Sequence, residues 1–167
     1  MILNPSPQRG EGGYIARLTR FAPSPIPADM AVPQSFAEIR DEFDILDRED
    51  RYRLLIDLGR GLEPMPDALT TDATKVRGCS AQVWLYPLAR PDERLHFLAD
   101  SDAHITKGIV ALILTLVQDR TAREILDTDI RESLAPFDLA GQLSSNRTQG
   151  IPNMIELVRA TAARLAA

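Results

Sequence analysis

The stretch Lys75–Tyr86, KVRGCSAQVWLY, carries the only cysteine of the 167-residue chain and leads directly into a strand-like run. Gly78 comes just before this cysteine, and glycine adopts positive φ at little steric cost. The pattern therefore predicts a tight loop that carries the Cys79 side chain outward. A lone cysteine closes no internal disulfide and supplies no thiolate cluster. Any chemistry at Cys79 must use atoms from a partner.

Two opposed interpretations of this thiol are open from the residues alone. Lys75 and Arg77 precede it, and no acidic residue lies between positions 73 and 91, so the local charge favours the thiolate. The thiolate is the nucleophilic form of cysteine. Free cysteines are also among the most frequently buried residues, and burial favours the neutral thiol. A reactive cysteine and a buried structural cysteine are therefore both possible.

The residues around this loop predict a small antiparallel sheet. Apolar and polar side chains alternate in two segments, which is typical of half-buried strands. The apolar positions are Val83, Leu85, Leu95, Phe97 and Ala99. The same alternation places His96 on the polar face of the second strand. A third short strand at Thr74–Arg77 is expected to lead into the cysteine loop, which puts Cys79 at one edge of the sheet.

Helical patterns flank the predicted strands. Ser35 with Glu38 has the spacing of a capping box, and Asp47 is a suitable cap for a second helix that ends near Leu58. A segment from about Ala103 to Gln118 is apolar on nearly every face, which is typical of a central helix. Asp100, Ser101 and Asp102 offer oxygens to cap it. Shorter helices are predicted at Thr121–Leu126 and Ile130–Leu134, and a last one at Pro152–Leu165. The fold class is α+β.

The first 34 residues differ from the remainder of the chain. They hold six of its 12 prolines, which blocks regular hydrogen bonding and predicts a disordered arm. The six are Pro5, Pro7, Pro23, Pro25, Pro27 and Pro33. Residues 35–167 are then expected to form one domain.

Composition excludes several classes of function. A formal net charge of −5 argues against a nucleic-acid surface, which is normally basic. No apolar run reaches the roughly 18 residues of a membrane span, so no membrane partner is expected. His96, His104 and the single cysteine are too few to suggest a zinc site, and no metal is expected. One cysteine fits a reducing compartment, and the expected location is the cytoplasm.

The segment GCSAQVW resembles the Gly-Cys-polar-x-Gln-Val-Trp signature of the SufE family, sulfur acceptors that work with cysteine desulfurases. Three further blocks resemble that family in the same order, so the resemblance runs from about Phe36 to the C-terminus. These blocks are RYRLLIDLG (51–59), DSDAHITKGIVALIL (100–114) and SNRTQGIPNMIELVRA (145–160). The resemblance implies the fold shared by SufE proteins and the IscU scaffold, a curved antiparallel sheet covered by helices.

The resemblance also implies a function. A SufS-like or CsdA-like cysteine desulfurase would pass sulfur to Cys79 as a persulfide, and an iron-sulfur scaffold complex would receive it. The cysteine loop would shelter the persulfide in an apolar hollow, with Gly78, Lys75 and Arg77 in support. No cofactor is expected in this chain, since pyridoxal phosphate belongs to the desulfurase, and the protein would be a carrier rather than a stand-alone enzyme. An alternative is an activator that stimulates the desulfurase by binding alone.

Arg147 matches the arginine of the family's Ser-Arg-x-Gln-Gly block, which the resemblance places near the cysteine loop. Its guanidinium could stabilise a thiolate or persulfide, or it could lock the loop by hydrogen bonds to carbonyl groups. We favour the structural role. The chain departs from the family pattern at Ser80, where glutamine is frequent, and at Asn146, where serine is frequent. The resemblance therefore implies no role for these two side chains.

Overall fold

The described residues form two helices, a β-hairpin, a central helix, several short helices and a long last helix. A computed structural model of the protein describes residues 34–166. The arm predicted for residues 1–34 lies outside the described residues, apart from Gln34. The helices are α1 (Phe36–Ile45), α2 (Arg48–Arg60), α3 (His104–Val117), α4 (Ala122–Asp127), α5 (Ile130–Leu134), α6 (Leu139–Gln142), α7 (Ser145–Thr148) and α8 (Ile151–Ala166), and the strands are β1 (Val83–Ala89), β2 (Arg94–Ser101) and β3 (Arg120–Thr121).

The starts of α1 and α2 follow the capping signals in the sequence. The Ser35 hydroxyl accepts a hydrogen bond from the Glu38 amide, and the Glu38 carboxylate accepts one from the Ser35 amide at 2.7 Å. The Asp47 side chain caps α2 by accepting from the Asp50 amide at 2.9 Å. Both predicted caps are confirmed. They could be predicted from the sequence because each depends only on residues three positions apart.

The second helix ends at Arg60, two residues beyond the predicted end near Leu58, and Gly59 within it serves close packing. Gly59 lies against Gly108 of α3, and a Cβ at position 108 would fall 1.9 Å from the Leu55 carbonyl oxygen. The two helices therefore touch backbone to backbone, which only residues without side chains permit.

The central helix α3 is buried along most of its 14 residues, as its apolar sequence predicts. Its N-cap is Ala103, however, and no side chain caps it. The expected capping by Asp100, Ser101 and Asp102 is therefore wrong. The Ser101 hydroxyl accepts from the Ala103 amide at 3.3 Å, ahead of the first helical residue, and the two acids have other partners. Asp100 pairs with Lys107 at 3.0 Å, and Asp102 accepts the Gln82 amide at 2.9 Å. No helix described between residues 34 and 166 is long and apolar enough to cross a bilayer.

The sheet has three antiparallel strands in the order β1-β2-β3, and the α+β fold class is confirmed. The hairpin pairs Val83 with Ser101 at one end and Ala89 with Leu95 at the other. The third strand is the two-residue β3, which pairs with β2, and not the predicted Thr74–Arg77. That segment makes a single bridge between Lys75 and Trp84, because turns on both sides of it prevent a longer ladder.

His96 is buried, with 7% of its surface exposed, so its predicted place on a polar face is wrong. Its Nε2 lies 2.6 Å from Glu63 Oε2 and its Nδ1 lies 2.9 Å from Asp119 Oδ1. Every residue of β2 from Leu95 to Ala99 is buried. The alternation in the sequence therefore does not separate a buried face from an exposed one, and at His96 the second face is covered by Glu63 and Asp119.

Candidate functional site

The loop that carries Cys79 begins and ends at fixed points of the sheet. The Val76 amide donates to the Val83 carbonyl at 2.7 Å, and the Leu85 amide donates to the Thr74 carbonyl at 2.9 Å. Between these bonds the chain turns at Gly78, whose φ is 80°. The positive φ expected of this glycine is confirmed, and it allows the chain to reverse direction within a few residues.

Cys79 faces inward rather than outward, which corrects the expectation of a thiol at a loop tip. Its side chain is half-buried and packs against the apolar core. Sγ lies 3.9 Å from the carbonyl oxygen of Gly150, the residue that precedes α8. A Cβ at position 150 would fall 2.4 Å from Sγ, so only a glycine there leaves room for the thiol. Cys79 therefore has features of both a reactive and a buried cysteine, because its side chain is partly buried and partly exposed to solvent.

Gly78 and Ser80 complete the contacts between the loop and the segment before α8. A Cβ on Gly78 would fall 2.2 Å from Asn153 Nδ2, so this glycine also allows a close approach. The Ser80 hydroxyl donates to the Asn146 carbonyl at 2.6 Å and accepts from Gln149 Nε2 at 2.7 Å. Ser80 thus has defined partners, while Asn146 contributes a carbonyl that any residue would supply.

Burial favours the neutral form of the Cys79 thiol. The apolar surroundings raise the pKa of Cys79, because the charged thiolate is less well solvated there than in water. The predicted bias of Lys75 and Arg77 toward thiolate does not outweigh this effect. The Lys75 ammonium donates to Gln82 Oε1 at 3.4 Å, and Arg77 is exposed to solvent. In the resting structure Cys79 is therefore a protected thiol.

A groove of about 400 Å³ opens beside the cysteine. Its lining combines the thiol with two cations and one acid, and it brings together four of the five predicted site residues. The lining residues are Asp72, Lys75, Val76, Arg77, Gly78 and Cys79. A docked segment of a partner could reach the sulfur from this side, with positive charge beside it.

Arg147, the fifth predicted residue, lies in the helical turn α7 rather than in an irregular loop. Its turn reaches the cysteine loop, since the neighbouring Asn146 carbonyl accepts from Ser80. The Arg147 side chain is exposed, and within residues 34–166 its guanidinium makes no hydrogen bond or ion pair. The favoured role as a lock on backbone carbonyls is therefore wrong for the residues that the structure describes.

Three residues of the site were not singled out from the sequence: Gln149, Gly150 and Asn153. All three belong to the block SNRTQGIPNMIELVRA, so the signal was present, but only its arginine suggested chemistry. Among the residues that the structure describes, no three His, Cys, Asp or Glu side chains cluster closely enough to hold a metal ion.

Comparison with solved structures supports the fold. A solution structure of a hypothetical protein from Thermus thermophilus matches with a TM-score of 0.64, over 78% of this chain and 95% of that chain. The two sequences are 13% identical, so the likeness concerns the fold alone.

Comparison of sequences is more specific. The sulfur acceptor protein CsdE of Escherichia coli is 38% identical over 113 residues, which are 66% of this chain and 75% of CsdE. An uncharacterised SufE-like protein of Rhizobium meliloti is 39% identical over 132 residues, which are 77% of this chain and 94% of that protein. A family model described as an Fe-S metabolism associated domain, SufE, matches residues 37–162. The chain belongs to the SufE family.

Proposed function

We propose that this protein is a sulfur acceptor whose Cys79 takes sulfane sulfur from a cysteine desulfurase. The observation that carries the proposal is the setting of Cys79, a thiol sheltered against Gly150 beside a groove with two cations. Membership of the SufE family and likeness to a protein named as a sulfur acceptor support the same reaction. The desulfurase partner would be of the SufS or CsdA kind.

The transfer is an exchange at sulfur. The Cys79 thiolate attacks the terminal sulfur of a persulfide on the desulfurase cysteine, and a new S–S bond forms at Cys79 Sγ. The bond between the desulfurase cysteine and that sulfur breaks, and its electron pair leaves on the desulfurase thiolate. The proton that Cys79 gives up balances the one that the leaving thiolate can take. No net oxidation or reduction occurs, and the step needs no cofactor in this chain.

The raised pKa of Cys79 has a consequence for this step. A protonated thiol is a poor nucleophile, so we expect the resting protein to react slowly with electrophiles. We infer that docking of the desulfurase draws Cys79 out of its apolar contacts, because the thiolate that attacks is better solvated outside them. Such a shift requires that the partner bind the open loop more tightly than the closed one.

After transfer, closing the loop would return the persulfide to the sheltered position against Gly150. There it would be kept from reductants until an iron-sulfur scaffold complex accepts the sulfur. The protein then acts as a carrier between two partners, in a reducing compartment such as the cytoplasm. Pyridoxal phosphate, which the desulfurase uses, belongs to that partner.

Intact mass after incubation with a purified cysteine desulfurase and L-cysteine tests the proposal. We expect the wild-type chain to gain one sulfur atom, and this gain to disappear on treatment with a reductant. The Cys79→Ser variant should gain none, because it lacks the nucleophile. No adduct on the wild type with an active desulfurase would refute the proposal. Full stimulation of the desulfurase by Cys79→Ser would instead favour the activator hypothesis.

A further inference from the structure

The cysteine loop has few attachments between its two fixed ends. No backbone–backbone hydrogen bond joins residues 77–81 to the described residues of α7, α8 or the segment between them. On the far side, the Gln82 amide is held by the Asp102 carboxylate, which fixes the start of β1. The closed position of the five residues in between therefore depends on side chains.

Ser80 provides the strongest of these attachments. Its hydroxyl donates a hydrogen bond to the Asn146 carbonyl at 2.6 Å and accepts one from Gln149 Nε2 at 2.7 Å. The Asn146 carbonyl lies in the short helical turn α7, and carbonyls at a helix end lack an intrahelical partner. By comparison, the contact of Cys79 Sγ with the Gly150 carbonyl is long, at 3.9 Å.

Both bonds of Ser80 lie at the surface, where water can replace either partner. A bond of this kind favours the closed loop without making it permanent, because the free energy of breaking it is partly recovered from solvent. The attachment is thus suited to a loop that must open in each transfer.

We propose that Ser80 and Gln149 form a latch, a pair of hydrogen-bonding side chains that sets how often the Cys79 loop opens. Ser80 is then a positioning residue, which acts on the reaction through the location of Cys79. The link to sulfur transfer rests on the proposed function. The frequency of opening is a property of this chain alone and can be measured without a desulfurase.

Alkylation of the native protein tests the latch. Cys79 is the only thiol, so all iodoacetamide label reports its exposure. We expect Ser80→Ala to react roughly tenfold faster, which corresponds to about 1.4 kcal/mol, a value within the range for two exposed hydrogen bonds. The pH midpoint of the alkylation rate should also move down, since an open Cys79 is better solvated. Ser80→Thr retains the hydroxyl and should restore slow alkylation.

Two further variants separate a latch from general loosening. Gln149→Ala removes one of the two bonds and should give a smaller rise in alkylation rate. Ser133→Ala is a matched control, because Ser133 donates a surface hydrogen bond of 2.7 Å to the Asp129 carbonyl away from the loop. It should alkylate at the wild-type rate. If Ser80→Ala and Gln149→Ala were alkylated at the wild-type rate, the latch would be overturned. The same holds if Ser133→Ala raised the alkylation rate as much as they do.

Kinetics with a desulfurase distinguish this inference from the function on which it rests. If opening limits docking, Ser80→Ala should accept sulfur with a lower apparent KM for the desulfurase and an unchanged maximal rate. If the wild type gains no sulfur, the proposed function fails, while the alkylation rates still decide whether the latch exists. If sulfur is transferred but alkylation does not respond to Ser80, the latch fails and the proposed function stands.

Discussion

The backbone of Gly150 and the side chain of Cys79 occupy adjoining space. A Cβ at position 150 would fall 2.4 Å from Sγ and 3.0 Å from the Cβ of Cys79. The two residues are separated by 71 positions in the sequence. The resting location of the thiol therefore depends on the absence of a single methyl group.

Gly150→Ala should displace Cys79 from this position. Overpacking of this kind typically lowers the free energy of unfolding by about 1–3 kcal/mol, and part of the strain can be relieved by opening the loop. We therefore expect faster alkylation of Cys79 together with a lower thermal midpoint. Gly61→Ala is the control, since a Cβ there would meet the Leu58 carbonyl only at 3.4 Å. Slow alkylation in Gly150→Ala would contradict the close approach.

Stability should depend on pH through Cys79. The pKa of this thiol is raised by burial in the folded chain. As pH rises, the unfolded chain loses the thiol proton first, so the free energy of unfolding falls between the ordinary cysteine pKa and the higher folded value. Below the ordinary value the contribution is fully present. Urea unfolding across alkaline pH should show this loss in the wild type and less of it in Cys79→Ser. Parallel curves for the two proteins would count against burial of the thiol.

Arg147→Ala should reduce sulfur acceptance and leave the fold intact. The guanidinium is exposed and makes no ion pair or hydrogen bond in residues 34–166, so its removal should change the thermal midpoint very little. Its turn adjoins the cysteine loop, where a cation can attract an acidic surface or a developing thiolate. Arg60→Ala, which removes an exposed arginine from the end of α2, is the control. Equal acceptance rates in wild type and Arg147→Ala would remove this residue from the site.

Gly108→Ala should strongly destabilise the protein. A Cβ at this position would fall 1.9 Å from the backbone oxygen of Leu55, which cannot move aside as a flexible side chain can. We expect a loss at or above about 3 kcal/mol, the upper end of typical overpacking effects. Ala111→Gly, a change of similar size in the same helix, should destabilise α3 less, by about 1 kcal/mol through helix propensity. Chemical denaturation of both variants measures the difference.

The sequence predicted best those features that depend on residues close together in the chain. The capping box of Ser35 and Glu38, the cap at Asp47 and the positive φ at Gly78 each involve a few neighbouring positions. The apolar sequence of α3 also predicted its burial, because a helix of 14 residues that is apolar on nearly every face is too short to span a bilayer and belongs in the core.

Errors arose where distant segments meet. The alternation in β2 placed His96 at the surface, but Glu63 and Asp119, 33 and 23 positions away, approach its two ring nitrogens. The segment Thr74–Arg77 has strand-like residues, yet turns on both sides leave it with one bridge. The charge of Lys75 and Arg77 suggested an ionised Cys79, but burial raises the pKa of this thiol. Part of that burial comes from Gly150, which is too far along the chain for the residues around Cys79 to predict the contact.

The attachments of the cysteine loop also bear on how the protein is made. Ser80 and Cys79 bind residues that lie 66 to 71 positions later in the chain. Synthesis proceeds from the N-terminus, so Cys79 leaves the ribosome well before Asn146 and Gly150 exist. A nascent chain therefore exposes the Cys79 thiol until the segment with Asn146 and Gly150 has been made and has folded over it. A polypeptide that stops short of Asn146 lacks these contacts, and we expect its thiol to be oxidised more readily.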